Sequence, residues 1–380
     1  PISVLSPGYV YNYAHYAGDS DLDSIAYSWA VPIDDNFNAT PSPPIPPGTG
    51  TSVLFQSPYT FNNPLPSSSS TPLTLNPQTG IITFEPTVTG GFVTCIRVDE
   101  FRCGQLIGSV FRDIPIFIVP GINTGGGTIN KPPKLIMEFP TGFPVGVPTL
   151  NSIGDTIGFE LTVFAGEKVR VDVSSFDVDL APNFSLDSLI FNPISGQISS
   201  NNSTTSGCAN PPCAVISPAN GQTGFRTQLQ NYAQLNWQTE CNHIGFVNNP
   251  CGSPTSTYVF AIRVQDKFCP APAVANQSLV INVVSTIPVP PDMTNACASV
   301  NANGTVSINW GFPADTGMNF DSYVIYHSVS PTGPFSVLDT VFNYATLGYT
   351  HAAPAVGANY YYIRSKGGCD FLSIPSDTLQ

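Results

Sequence analysis

Short runs of alternating apolar and polar residues fill this chain, and none of them sustains the roughly 3.6-residue apolar period of a helix. Gly304-Thr-Val-Ser-Ile-Asn-Trp310 and Asp321-Ser-Tyr-Val-Ile-Tyr-His327 put apolar side chains on alternate positions, the pattern of a half-buried strand. Tyr9, Tyr11 and Tyr13 alternate in the same way, and with Tyr16 they could otherwise line a sugar-stacking face. Ser278-Leu-Val-Ile-Asn-Val-Val284 and Asn359-Tyr-Tyr-Tyr-Ile-Arg364 read as further strands. Phe111-Arg-Asp-Ile-Pro-Ile-Phe-Ile-Val119 is another, placed at a sheet edge because Pro115 has no N–H to give a ladder. Proline (38 residues) and glycine (32) punctuate the runs, so short strands joined by turns are predicted. The fold class is all-β.

The motifs recur in order. Gly18-Asp-Ser-Asp-Leu-Asp-Ser-Ile-Ala-Tyr-Ser-Trp29 is followed by Leu75-Asn-Pro-Gln-Thr-Gly-Ile-Ile-Thr-Phe84 and Phe92-Val-Thr-Cys-Ile-Arg-Val-Asp-Glu100. Downstream come Phe176-Asp-Val-Asp-Leu-Ala-Pro-Asn-Phe-Ser-Leu-Asp-Ser-Leu-Ile-Phe191, Asn192-Pro-Ile-Ser-Gly-Gln-Ile198 and Tyr258-Val-Phe-Ala-Ile-Arg-Val-Gln-Asp266. The copies lie about 160 residues apart, which indicates tandem domains. A length of 380 residues suits three of them, each large enough to bury a core. Three tandem β-sandwiches are therefore expected: residues 1–120, a larger second unit at 131–285, and a third at 292–380. A glycine-rich linker (121–130) and a proline-rich spacer (286–291, with Pro288-Val-Pro-Pro291) divide them.

Charge narrows the function. Only 10% of residues are charged, against an ordinary share of roughly a quarter. A net charge of −13 with 12 Lys and Arg gives no basic stripe for a phosphate backbone, so nucleic acid is excluded as a partner. No apolar run reaches the roughly 18 residues of a membrane helix, and no membrane insertion is expected. No signal peptide is visible and the chain opens in mid-pattern at Pro1, so it reads as a mature protein or a fragment of a longer one. Nine cysteines without a zinc-ligand spacing favour an oxidising, extracellular compartment.

On the strands Gly304–Trp310, Asp321–His327 and Asn359–Arg364, with the turn Thr332-Gly-Pro-Phe335 and the closing Ser373-Ile-Pro-Ser-Asp377, residues 289–380 resemble a fibronectin type III domain. The resemblance implies a seven-stranded sandwich with Trp310 and one or two tyrosines in its core. The first two units are more loosely similar to cadherin-like domains, through an Asp-x-Asp motif and a later alternating strand that ends on an acidic residue. That resemblance implies calcium (Ca2+) ligands at Asp19, Asp21, Asp23 and Glu100, and again at Asp177, Asp179, Asp187 and Asp266. Calcium takes roughly six to eight oxygens, so carboxylates from separate loops suit it; the residues alone equally allow aspartates that cap turns. The Asp- and Asn-rich linker of that family is replaced here by glycine and proline runs, which favours a site within one domain.

Both units, in this order, also resemble tandem repeats of very large surface proteins of Bacteroidota. Leu235-Asn-Trp-Gln-Thr-Glu-Cys-Asn-His243 and Val264-Gln-Asp-Lys-Phe-Cys-Pro270 add to that similarity. Some of those proteins are gliding-motility adhesins exported by the type IX secretion system. The resemblance implies a bacterial cell-surface adhesin or motility-filament segment that works by weak contacts in series. Its implied partners are neighbouring domains or other copies, surface polysaccharide, and the secretion and motility machinery of the outer membrane. A structural sheath, filament subunit or stalk is the alternative, and the accessory region of a secreted hydrolase is a third reading. Asp-Ser/Thr-aliphatic triplets matching the O-glycosylation sequence of that group place sugar on Ser24, Thr156, Ser188, Thr340 and Thr378.

Cysteine positions suggest Cys297–Cys369 across the third unit, Cys95–Cys103 around a strand end, and Cys241–Cys269 between neighbouring strands. Cys208 and Cys213 would bridge locally and Cys251 is left over, though connectivity stays open. The histidines, His15, His243, His327 and His351, stand in no catalytic pattern, and Gly125-Gly-Gly127 lacks the lysine of a phosphate loop. A non-enzyme is expected.

Overall fold

The structure, a computed structural model, describes residues 3–14, 17–19, 21–34, 51–121, 130–150, 154, 156–177, 179, 188–218, 226–228, 230–245, 255–268, 272–285, 288–314 and 320–380. The described residues are all-β, with 3-10 turns at Cys241–His243 and Gly368–Asp370 among them. It divides into two compact units, Pro1–Val283 and Val284–Gln380.

The first unit holds two sandwiches. In one, a four-stranded sheet runs in the order Ser3–Leu5, Gln105–Ile118, Gly90–Arg102, Ser24–Trp29. A three-stranded sheet of Tyr11–Ala14, Ile81–Phe84 and Thr74–Leu75 faces it. Tyr11, Tyr27, Ile82, Phe84, Ile96 and Ile116 fill the space between, each buried side chain contributing on the order of 1.5–3 kcal/mol. Gly90–Arg102 and Gln105–Ile118 form a long hairpin whose two turn residues, Cys103 and Gly104, have φ of +53° and +75°. Two positive φ values in a two-residue turn give the twist that antiparallel strands need. Gln105–Ile118 is interior, contrary to the edge position that Pro115 suggests. Ser3–Leu5 pairs with it in parallel from Ile116 onward, one residue past the proline, so the ladder is not asked for the missing N–H.

The other sandwich has a four-stranded sheet ordered Lys134–Glu138, Lys168–Phe176, Gln230–Gln238, Val215–Pro218. Its six-stranded partner runs Val147–Leu150, Thr156–Phe164, Val274–Val284, Thr255–Gln265, Ser188–Phe191, Arg226–Gln228. Alternation does the sorting: Val169, Val171 and Val173 are buried while the intervening Lys168, Arg170 and Asp172 are not. The repeated motifs take equivalent pairings. Ser24–Trp29 lies antiparallel beside Gly90–Arg102, with Ile25 opposite Glu100, and Ser188–Phe191 lies antiparallel beside Thr255–Gln265, with Ile190 opposite Gln265.

Of the expected linker 121–130, residues 122–129 lie outside the described residues. The two sandwiches it joins share one compact unit, and Asn12 Nδ2 donates to the carbonyl of Ile157 at 2.5 Å. Asn130, read from sequence as linker, is only 4% exposed. The division into units comes at Val283 and Val284, next to the expected spacer 286–291.

In the second unit, Asp292–Val300, Val306–Gly311 and Gly348–His351 form one sheet, and Ser336–Val341, Phe320–Ser328 and Tyr360–Gly367 the other. Val306, Ile308, Trp310, Tyr323, Ile325 and Tyr361 make the core. Six strands are regular. The seventh is reduced to bridges, because Pro375 breaks the ladder between Leu372, opposite Lys366, and Leu379, opposite Tyr361.

Candidate functional site

The strand pairing of the first sandwich sets Ser24 opposite Phe101 and Ile25 opposite Glu100, so the acidic loop before Ser24 meets the end of the hairpin. Asp19, Asp23 and Glu100 each bring an oxygen within 4.8 Å of the others. The sequence reading missed Arg102. Its Nε donates to both oxygens of Asp23 at 3.0 and 3.1 Å, and its Nη2 reaches Asp23 at 2.6 Å and Asp21 at 2.9 Å. Asp19 Oδ2 accepts from the Asp23 N–H at 2.6 Å. Hydrogen bonds to Asp23 and Asp21 hold the Arg102 pKa above its ordinary value, and desolvation, with Asp19 nearby, raises that of Glu100. A lone arginine two residues past Glu100, in a chain so poor in cations, was the available signal.

In the second sandwich Asp177, Asp179 and Asp266 are tied in around Asn130 and Lys131, without the mutual 4.8 Å approach of Asp19, Asp23 and Glu100. Asp177 and Asp179 follow the strand Lys168–Phe176, Asp266 follows Thr255–Gln265, and Asn130 precedes Lys134–Glu138. Asn130 Nδ2 donates to Asp266 Oδ2 at 2.7 Å, and the N–H groups of Phe268 and Ala273 donate to Asp266 Oδ1 at 3.1 and 2.9 Å. The Lys131 N–H donates to Asp179 Oδ2 at 2.8 Å, and the Asp179 N–H to Asp177 Oδ1 at 2.9 Å. Desolvation raises the pKa of Asp266 to about 7 despite those bonds, and the charge of Asp177 adds to the rise. Asp187 lies outside the described residues.

Cysteine pairing follows expectation at one bond and departs from it at two. Cys208 and Cys213 are bonded, with Cα atoms 5.7 Å apart. Cys95 is a buried free thiol and Cys297 an exposed one, while Cys103 and Cys369 are disulfide-bonded, so neither Cys95–Cys103 nor Cys297–Cys369 forms. Cys297 sits on a strand where it hydrogen-bonds Asn309, and Cys95 is enclosed within the long hairpin. Cys241 is also disulfide-bonded, and Cys269 and Cys251 lie outside the described residues. Of the expected glycosylation positions, Ser24, Thr156 and Thr378 are exposed, and Ser188 and Thr340 are half-buried.

Two histidines are structural. His243 is fully buried; its Nε2 donates to the Asn210 carbonyl at 2.9 Å and its Nδ1 accepts from the Glu240 N–H at 2.8 Å. His351 Nδ1 meets the Tyr361 hydroxyl at 2.9 Å, with the His327 ring 5.1 Å from its own. A cleft of about 450 Å³ opens within the first unit, lined by Asp19, Asp23 and Gln78 on one side and Gln197, Asn210 and Thr257 on the other.

No family model matches this chain, and no curated protein matches it. Solved structures do. The crystal structure of domains A168–A170 from titin is 11% identical, with a TM-score of 0.26, and the match covers 100% of this chain and 94% of that one. The crystal structure of chicken CNTN1 FN1-FN3 domains is 8% identical, with a TM-score of 0.22, covering 98% of this chain and 97% of that one. Likenesses at these identities and TM-scores name neither ligand nor partner.

Proposed function

We propose that this chain is a segment of an extracellular sandwich array on the surface of a Bacteroidota cell, exported by the type IX system and serving adhesion or gliding motility. Sandwiches in series suit such a role, since many weak contacts along one chain raise avidity without any tight site. The observation that favours adhesion over a bare stalk is the cleft of the first unit. Its volume of about 450 Å³ falls in the range of small-molecule sites, and its walls offer carboxylates, side-chain amides and hydroxyls. Such groups donate and accept hydrogen bonds in the manner a hydroxyl-rich ligand requires, so surface polysaccharide is the partner it suits. Exposed Ser24, Thr156 and Thr378 are open to glycan attachment, which would add bulk and solubility to the array. No catalytic role is assigned to any residue.

Affinity electrophoresis through gels containing envelope polysaccharide tests the reading. The full chain is expected to be retarded, and Gln78→Ala and Asn210→Ala to run closer to the polysaccharide-free position. Unretarded migration in every polysaccharide would leave the sheath or stalk reading in its place.

A further inference from the structure

The disulfide loop Cys208-Ala-Asn-Pro-Pro-Cys213 forms part of the cleft wall, where Ala209 and Asn210 stand beside Gln197. Its two prolines leave the loop with more carbonyls to satisfy than N–H groups to give. The Asn210 carbonyl accepts from His243 Nε2 at 2.9 Å and from Gln197 Nε2 at 2.5 Å. The Pro212 carbonyl accepts from Gln197 Nε2 at 3.2 Å and from Trp237 Nε1 at 2.9 Å, and that of Pro211 from the Asn242 side chain. The wall is therefore tied from behind, and of these four donors only His243 titrates near neutral pH.

His243 fits its place in one protonation state. It is fully buried, and its Nδ1 already accepts from the Glu240 N–H at 2.8 Å. That fixes the neutral tautomer, with its proton on Nε2. A second proton would sit on Nδ1 and face another donor across 2.8 Å, so the 3-10 turn Cys241–His243 could not keep its shape.

Little around the ring offsets a charge. Trp237 and Tyr258 meet it edge-on, with ring centroids 4.9 and 5.9 Å away, and Gln197 Nε2 lies 3.3 Å from its Nε2. Tyr258 donates its hydroxyl to the His243 carbonyl at 2.8 Å, and burial pushes its pKa up, so it stays neutral. Among the described residues the opposing charge comes from Glu240, which is exposed. Desolvation outweighs that charge and the carbonyl bonds together, and holds the ring below its ordinary pKa.

We propose that His243 is an acid-sensitive latch on the cleft: as a neutral ring it holds the Cys208–Cys213 loop in the wall, and on protonation it lets that wall go and the cleft releases a hydroxyl-rich ligand. The release rests on the adhesive reading above, whereas the latch stands without it. An adhesin built this way holds at neutral pH and lets go where its surroundings turn acidic.

Amide hydrogen exchange of the ligand-free full chain at about pH 7.5 and about pH 5, corrected for intrinsic rates, tests the latch. Protection of residues 208–214 and 240–245 should fall at least about fivefold in acid, while that of Gly90–Arg102 should not. His243→Gln stays neutral at both pH values and should keep its protection. It leaves Asp266 in place, so an acid response of these segments that survives in it overturns the latch. In wild type the midpoint of the loss should coincide with the His243 ring titration followed by NMR, which decides the matter if His243→Gln does not fold. Affinity electrophoresis in envelope polysaccharide, each lane read against a polysaccharide-free lane at the same pH, tests the release. Retardation should be at least about fivefold weaker in acid for wild type and equal at both pH values for His243→Gln. Unchanged protection in wild type, or a midpoint apart from the ring titration, overturns the latch. Retardation at neither pH overturns the adhesive reading alone. Equal retardation at both pH values with protection lost overturns the coupling of latch to ligand.

Discussion

Arg102 grips Asp23 with two nitrogens, Nε at 3.0 and 3.1 Å from its two oxygens and Nη2 at 2.6 Å from Oδ2. The Asp23 side chain is 1% exposed while that of Arg102 is 44% exposed, so the cation is the lid on a buried anion. Taking away the arginine strands the carboxylate, which costs more than the pair itself contributes. Arg102→Met is expected to lower the melting temperature of the first unit, and adding Asp23→Asn to recover most of the loss. Circular dichroism melts of the two variants check this. An Arg102→Met protein as stable as wild type would show that the pair is incidental.

Gly80 offers a second test. Its φ is +68°, and a Cβ there would lie 2.5 Å from the Tyr27 ring. Backbone strain and collision act together, so Gly80→Ala should destabilise by roughly 1–3 kcal/mol in urea unfolding. Gly142, at φ +89° with nothing near its added Cβ, carries the strain alone and should lose less on the same substitution.

Each unit holds a buried histidine whose stability contribution falls with acid, and in the first unit the raised pKa of Asp266 pulls the other way, stabilising the fold as pH falls below about 7. Desolvation lowers the pKa of His243 and of His351 below 6.5, and the charge of His327 adds to the effect at His351. Between the folded value and 6.5 the unfolded chain binds more protons, so this stability is complete above pH 6.5. It is lost as pH falls from 6.5 through the folded pKa. From pH 7.5 down to about 5 the melting temperature of the second unit should decline, and less steeply in His351→Gln, while that of the first unit should shift toward higher values in His243→Gln, where only the Asp266 effect remains. An equal slope in all three proteins would remove histidine from the explanation.

Thiol labelling should separate the cysteines. Cys297 is exposed and free and should react with maleimide in the native protein. Cys95 is buried, with burial pushing its pKa well up, and should react only on unfolding. Labels recovered on Cys208 or Cys213 without reductant would contradict the bond between them.

Alternation along the chain was enough to read the strands, because burial on one face leaves a period of two that survives every turn. The Asn-Pro-x-x-Gly motif was legible for a local reason. Asn76 Oδ1 accepts from the N–H groups of Gln78 and Thr79 at 2.9 and 3.0 Å, and Gly80 takes the positive φ that follows. The local Cys208–Cys213 bond was legible from its spacing, but pairing across sheets was not, because it depends on the direction of Cβ vectors, which spacing does not encode. Arg102 and Asn130 were missed for another reason. Acidic residues mark both places in the sequence, while the groups that hold them are a cation and an amide, one of them inside a stretch read as linker.

The parallel pairing of Ser3–Leu5 with Ile116–Ile118 has a mechanical meaning. These strands begin and end the first sandwich, and the Val119 N–H continues their ladder by donating to the Leu5 carbonyl at 2.9 Å. Tension applied along the chain draws one strand back past the other, so the bonds between them are loaded together in shear instead of opening one after another. Breaking that clamp means sliding the whole ladder at once, so a domain tied at its own ends is loaded where its bonds act together.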